Sequence, residues 1–222
     1  PAGRSTPKGF SLNHEYAIFA WKTQSPKGIG KLPHTERQRN RYGERDRLGL
    51  YEWVNFRKHG GTKRESPRMF YPVFINPIGF TYRIPNIVWN DSGEKWVLKE
   101  QPEKDELVVY PIDEQGQPRR WKWGVERLMS SPNEVKVDKD RLGKAAIYIK
   151  SRKPEGITPP TWWDKKQYSA TDWGTRTLKN LFGRFGGFDY PKAVDLIIDS
   201  LHVVNAQENG IILDYFAGSG TT

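Results

Sequence analysis

Ile211-Ile212-Leu213-Asp214-Tyr215-Phe216-Ala217-Gly218-Ser219-Gly220-Thr221-Thr222 is the stretch that decides the fold class. Its first three residues form a short, fully apolar run of the kind buried in a parallel sheet. The spacing predicts a strand that delivers Asp214 and a Gly-x-Gly turn to its carboxyl end, where open α/β folds place ligands. Gly218 and Gly220 permit tight turning and let the backbone approach a ligand with no Cβ in the way. N–H groups at the start of a following helix would meet a negative group. Ser219, Thr221 and Thr222 add hydroxyl donors.

Upstream, from residue 173 onward, the pattern is that of an α/β protein. Phe188-Asp189-Tyr190-Pro191-Lys192 is predicted to open a helix, with Pro191 in the first turn, where a missing N–H costs nothing. Val194, Ile197, Ile198 and Leu201 fall at i, i+3, i+4 and i+7, and Asn209-Gly210 is expected to break that helix. An earlier helix is predicted over 175–182, with Leu178, Leu181 and Phe182 at helical spacing and Gly183 as its stop. Residues 151–172 are Pro-rich and polar and read as a linker. Residues 124–150 predict a short helix and then a strand near 145–149.

Residues 49–128 read as an irregular antiparallel β region. Runs at 69–75 (MFYPVFI), 80–84 (FTYRI), 95–99 (KWVLK) and 106–112 (ELVVYPI) are separated by Gly, Pro, Asn and Asp. Residues 23–48 read as an Arg-rich loop with a short helix, and 11–22 as a buried strand.

Composition narrows the function classes. Aromatics make up 13% of the 222 residues, with nine Trp, which argues against disorder. No apolar run approaches the roughly 20 residues of a membrane span, and the polar, proline-broken N-terminus does not read as a signal peptide. With no Cys there is no disulfide, thiolate nucleophile or Cys-based zinc site. The expectation is a cytoplasmic protein, and the missing initiator Met suggests a fragment. Net charge is +10, and residues 1–70 hold 15 Lys/Arg against 6 Asp/Glu. A localised cationic region of this kind attracts nucleic acid. It also suits a solvated surface tuned for solubility.

The segment Pro118–Trp123 interleaves Arg119, Arg120 and Lys122 with Trp121 and Trp123. This suits phosphate contact with base stacking, or equally cations packed structurally on rings. His14, His34, His59 and His202 have no metal-ligand spacing, and no metal is expected. Asp138 and Asp140 read as solvated surface.

For the terminal loop, spacing leaves several ligands open. A phosphate-binding loop would need a Lys where Thr221-Thr222 follows Gly220 directly. A dinucleotide fingerprint would need a third Gly at position 223, and a carboxylate beside a pyrophosphate would repel it. S-adenosylmethionine carries a sulfonium and an ammonium, which Asp214 would favour. A glycine-rich turn with no ligand is the remaining reading.

Asp214–Thr222 resembles the Asp-x-Phe-x-Gly-x-Gly motif of adenine-N6 and cytosine-N4 DNA methyltransferases. Phe188–Lys192, followed by an apolar helix, resembles the motif that precedes it in their permuted β class. Asn13-His14-Glu15-Tyr16-Ala17-Ile18-Phe19-Ala20 resembles the strand that closes the catalytic half. Within the class the likeness is to modification subunits of type III restriction systems. It rests there on Arg45-Asp46-Arg47-Leu48-Gly49-Leu50-Tyr51, Gly174-Thr175 and Leu181-Phe182-Gly183.

The resemblance implies an α/β fold, a fragment of a Rossmann-like S-adenosylmethionine-dependent methyltransferase with an inserted, mainly β (α+β) target-recognition region. Residues 1–22 would end the catalytic half, 23–172 would recognise DNA, and 173–222 would begin the cofactor-binding half. The implied reaction is methyl transfer from S-adenosylmethionine to a flipped adenine, at N6, in a restriction-modification system. The implied partners are double-stranded DNA, a restriction subunit and a second methyltransferase subunit. Asp214, Tyr215, Phe216, Ala217, Gly218, Ser219, Gly220, Thr221, Pro191 and Lys192 would line the cofactor. Arg37, Arg39, Arg41, Arg45, Arg47, Arg57, Lys58, Arg64, Arg68, Arg119, Arg120 and Lys122 would meet DNA.

The family's Asp/Asn/Ser-Pro-Pro-aromatic tetrapeptide is absent, and the permuted order would put it upstream of residue 1. No catalytic residue is therefore expected here, and the fragment should not methylate alone. Asn76-Pro77-Ile78-Gly79 and Thr158-Pro159-Pro160-Thr161 imitate the tetrapeptide and read as turns. Two alternatives stand beside this reading: a non-catalytic DNA-binding module with a vestigial cofactor loop, and a dinucleotide-dependent oxidoreductase.

Overall fold

A computed structural model describes residues 14–22, 29–183, 188–206, 210–218 and 220. In chain order, helix α1 (Glu36–Arg39) is followed by β1 (Glu44–Asp46), β2 (Gly49–Asn55) and β3 (Arg57–Lys58). Next come β4 (Val73–Asn76), β5 (Thr81–Arg83), β6 (Ile87–Asn90), β7 (Lys95–Leu98), β8 (Leu107–Val109) and β9 (Arg120–Trp121). Helix α2 (Val125–Ser130), β10 (Val135–Lys139), β11 (Ala145–Arg152), α3 (Arg176–Phe182) and α4 (Val194–Val203) complete the order. The chain divides into two compact units, one of Asn40–Lys153 and one of Pro1–Arg39 with Pro154–Thr222.

The unit of residues 40–153 is antiparallel throughout. One sheet has the order β1-β2-β11-β10, and β5-β4-β8, β3-β9 and β6-β7 pair separately. Alternation sets the inward face: Val135, Val137, Ile147 and Ile149 are buried while Lys136 and Tyr148 between them are not. These four join Phe56, Tyr71, Val73, Ile75, Trp121, Trp123 and Leu128 in one core. Its polar handles are satisfied, since the Tyr71 hydroxyl donates to Trp123 O at 2.9 Å and Trp121 Nε1 donates to Tyr71 O at 2.8 Å. The β region expected over 49–128, the helix near 124 and the strand near 145–149 are all present; β10 was not anticipated.

In the other unit, α1 opens on a capping box. Thr35 N–H donates to Gln38 Oε1 at 2.9 Å while Gln38 N–H returns to Thr35 Oγ1 at 3.3 Å. Leu32 bridges Ile157 through two backbone hydrogen bonds of 2.9 and 2.8 Å. A π-helical turn, Thr171–Thr175, runs into α3, which ends at Gly183 as expected, with φ 77°. Helix α4 stops earlier than Asn209-Gly210 predicts. Asn205 (φ 56°) takes the left-handed position, and Ala206 N–H donates to Leu201 O at 3.0 Å and Asn205 N–H to His202 O at 3.0 Å. That is a Schellman stop with Asn in glycine's place.

Several expectations are corrected. Pro191 does not sit in the first turn of α4, which begins at Val194 with Ala193 as its cap. The runs at 14–20 and 211–213 are not buried strands: Ile18, Ile211 and Leu213 are 91%, 98% and 69% exposed. A strand exists only with ladder partners, and none of the described residues pairs with either run. All strand pairs among the described residues are antiparallel. The described residues therefore form a mixed α and β chain. No helix among the described residues is long and apolar enough to cross a membrane.

Candidate functional site

The terminal loop is built by its carboxylate and its glycines. Phe216 N–H donates to Asp214 Oδ1 at 2.9 Å, an Asx turn that fixes the chain direction after residue 214. Gly218 (φ 57°) and Gly220 (φ 68°) both adopt left-handed backbone, and Gly220 N–H closes onto Ala217 O at 2.8 Å. A Cβ at 218 would come within 2.7 Å of the Phe188 ring. Glycine is thus favoured there by backbone conformation, and a Cβ would also push the exposed Phe188 ring aside. Tyr215 and Phe216 are 83% and 94% exposed. Ser219 and Thr221 lie outside the described residues.

Beside the loop is a cleft of about 150 Å³ whose walls include Trp173, Thr177, Phe182, Pro191, Lys192 and Gly220. A ligand-sized pocket runs to roughly 300–1,000 Å³, so this cleft accommodates part of a nucleoside-sized molecule. Its lining is mixed, with the Trp173 and Phe182 rings beside Thr177 and Lys192. Pro191 is fully buried, and buried Gly174 packs so closely on it that a Cβ would meet Pro191 O at 2.7 Å. Lys192 Nζ is 2.7 Å from Glu15 Oε2 in an exposed pair. Of the residues expected to line a cofactor, the cleft brings together Pro191, Lys192 and Gly220. Asp214, Tyr215, Phe216, Ala217 and Gly218 are not among its walls. The Asp214 carboxylate suits a sulfonium or ammonium by charge.

The cations divide into two sets. Arg37, Arg45, Arg47, Lys58 and Arg64 are exposed, with no ion pair among the described residues. Arg39 is exposed and donates to His34 O at 3.1 Å. Arg41 pairs with Glu52 at 2.6 Å, and exposed Arg68 lies 5.0 Å over the Trp89 ring. The others turn inward. Arg57 is taken up by Glu114 and by Ile112 O, both at 2.6 Å, and Arg119 by Asp113 at 2.6 Å. Lys122 Nζ donates to Asn55 O at 2.5 Å, and burial pulls its pKa down. Arg120 reaches Ser66 Oγ at 3.5 Å.

The stacking read into Pro118–Trp123 is corrected. Trp121 and Trp123 are 3% and 8% exposed, so their faces belong to the core and not to a base. Interleaving along a strand alternates faces, which buries the two rings, while Arg119, Arg120 and Lys122 beside them stay half-buried.

Both imitations of the tetrapeptide are consumed in local structure. Asn76 Oδ1 accepts from Ile78 N–H at 2.9 Å and Gly79 N–H at 2.8 Å, and Thr158 Oγ1 accepts from Lys31 Nζ at 2.9 Å. His34 Nε2 lies 2.9 Å from Pro154 O. No cluster of potential metal ligands occurs among the described residues.

Sequence reasoning missed Asp199, a carboxylate 4% exposed that holds Lys165 Nζ and the Tyr168 hydroxyl. Burial first, and Asp199 second, raise the Tyr168 pKa. Periodicity could not find it, because the apolar stripe of α4 is half-exposed at Val194 and Ile198 while Asp199 faces inward.

Two known proteins align with the chain almost end to end. It is 31% identical over 221 residues to the type III restriction-modification enzyme EcoPI Mod subunit of Escherichia phage P1, covering 96% of this chain and 32% of that protein. It is 30% identical over 223 residues to the type II methyltransferase M.KpnI of Klebsiella pneumoniae, covering 99% of this chain and 48% of that protein. The chain thus spans about a third of one relative and about half of the other. No protein-family model and no solved structure matches it.

Proposed function

We propose that this chain, a relative of DNA methyltransferases along its whole length, reads DNA and holds part of the cofactor site of an adenine-N6 methyltransferase. The enzyme would serve a restriction-modification system and act on a base flipped out of duplex DNA. Residues 40–153 would form the DNA-reading element. Residues 173–222 would begin a Rossmann-like cofactor half, where the apolar run 211–213 joins a parallel sheet and gains the ladder partners it needs. Double-stranded DNA, a restriction subunit and a second methyltransferase subunit are the partners this reading implies.

One observation carries the cofactor assignment: the Pro191-Lys192 pair and the sequence-distant Gly220 line one cleft beside an Asp-x-Phe-x-Gly-x-Gly loop whose glycines are both left-handed. S-adenosylmethionine, when bound, supplies the methyl group on its sulfonium. The chain's own part is to bind: Asp214 offers negative charge to the cofactor's cationic groups, and the walls around Trp173 and Pro191 exclude water from its apolar face.

Isothermal titration of the full-length protein with S-adenosylmethionine tests this. Binding that is lost in Asp214→Ala supports the assignment, and a wild-type protein that takes up no cofactor sinks it.

A further inference from the structure

We propose that Lys58 and Arg120 form a seat for one DNA backbone phosphate, a proposal that rests on the DNA-reading role given above to residues 40–153. The two residues stand directly opposite each other in the two-stranded antiparallel pair of β3 and β9. Like charges in that position repel and weaken a strand pair. The neighbouring cations have partners: Glu114 neutralises Arg57, Asp113 neutralises Arg119, and Lys122 donates to Asn55 O.

Lys58 and Arg120 have no carboxylate partner among the described residues. Arg120 Nε is buried with no hydrogen-bond partner, and its Nη1 reaches only Ser66 Oγ at 3.5 Å. Glu65, in the loop beside them, spends a carboxylate oxygen on Thr62 N–H at 2.8 Å.

With Nε buried and Nη1 on Ser66, Nη2, which makes no hydrogen bond among the described residues, is the donor that an oxyanion would meet beside the exposed Lys58 ammonium. A phosphate can accept from an Arg N–H and from the point charge of a Lys together. The backbone also comes in close here: a Cβ on Gly61 would lie 2.6 Å from Arg120 Nε. The loop 59–64 that carries this glycine follows β3 directly in the chain and contains His59, Lys63 and Arg64. The chemistry recognised is a phosphodiester and is independent of base sequence.

The test is fluorescence anisotropy of the full-length protein on a random-sequence duplex across a salt series. It compares wild type with Lys58→Gln, Arg120→Gln and the double variant, and Arg120→Lys serves as rescue. Each phosphate contact contributes about 0.9 to the slope of log affinity against log salt. Because the two cations share one phosphate, each single variant and the double variant should lower the slope by the same single increment of about 0.9. Arg120→Lys should restore most of it.

Thermal stability without DNA should hold or rise in Lys58→Gln, since a like-charge contact is removed; a merely structural role would lower it. If Arg120→Gln fails to fold, exposed Lys58→Gln reads the same slope. Unchanged slopes beside a DNA-binding wild type overturn the seat alone, and so do increments that add in the double variant. A wild type that does not bind duplex overturns the DNA-reading role and the seat with it.

Discussion

Trp121 lies flat against Phe56, with ring centroids 4.7 Å apart and 12° between the ring planes. Trp123 meets the same Phe56 ring edge-on at 5.9 Å. The Trp-rich segment is therefore the centre of the 40–153 core, and the cations beside it are held in place by that core. Trp121→Ala should destabilise this unit by about 3–5 kcal/mol, as loss of a buried aromatic does. Chemical denaturation followed by Trp fluorescence measures it. A loss below about 1 kcal/mol would mean that the rings are not packed as described.

Asp199 is the polar anchor of the other unit. Its side chain is 6% exposed and takes both Lys165 and Tyr168. Asp199→Ala leaves a hydroxyl and an ammonium without their acceptor, and should cost about 2–4 kcal/mol. Lys165, about a third exposed, can turn to water and soften the loss. Burial raises the Tyr168 pKa, so its hydroxyl would be left without an acceptor in a partly dry site, and Tyr168→Phe in the Asp199→Ala background should recover part of the loss. A double-mutant cycle with no coupling would remove the anchor.

Much of 40–153 was legible in the sequence because its strands are short, alternating and bounded by Gly, Pro and Asn. Turn chemistry there agrees with the pairing that forms, as at Asn76, whose side chain caps its own turn. The fates of Ile18 and Ile211–Leu213 were not legible. An apolar run reports a wish for burial, and only ladder partners can turn it into a strand. Of the candidate site, the glycines of the loop were readable from their left-handed demand. Trp173 and Gly174 were not, since their part in the cleft depends on Pro191 and Lys192 arriving against them.

Acid should unfold residues 40–153 through their ion-pair network. Hydrogen bonds from Arg152 first and Lys150 second hold the Asp46 carboxyl well below the usual carboxylate range. Arg83 lowers Glu100 and Glu106 in the same way. A depressed folded-state pKa contributes stability above the unfolded value of about 4, and that stability is lost as pH falls through the folded one. The thermal midpoint should therefore be flat from about pH 7 to 5 and fall steeply below about pH 4. Asp46→Asn should start lower and show a shallower fall. Equal slopes in variant and wild type would exclude Asp46 as a main acid-sensitive group.

Gly174 sets the position of the Pro191–Lys192 wall, because an added Cβ would stand 2.7 Å from Pro191 O and 3.2 Å from Lys192 O. Both contacts are backbone atoms, so the methyl group of Gly174→Ala cannot be absorbed by turning a side chain, and the 191–192 segment must shift. Misplacing one wall of a cofactor cleft should weaken S-adenosylmethionine binding about tenfold, equivalent to about 1.4 kcal/mol. Duplex affinity, assigned to 40–153, should not change. Titration calorimetry and anisotropy on one preparation of the full-length variant separate the two. Cofactor affinity equal to wild type would show that the cleft is not where the cofactor binds, whereas a parallel loss of DNA affinity would trace the effect to misfolding of the chain.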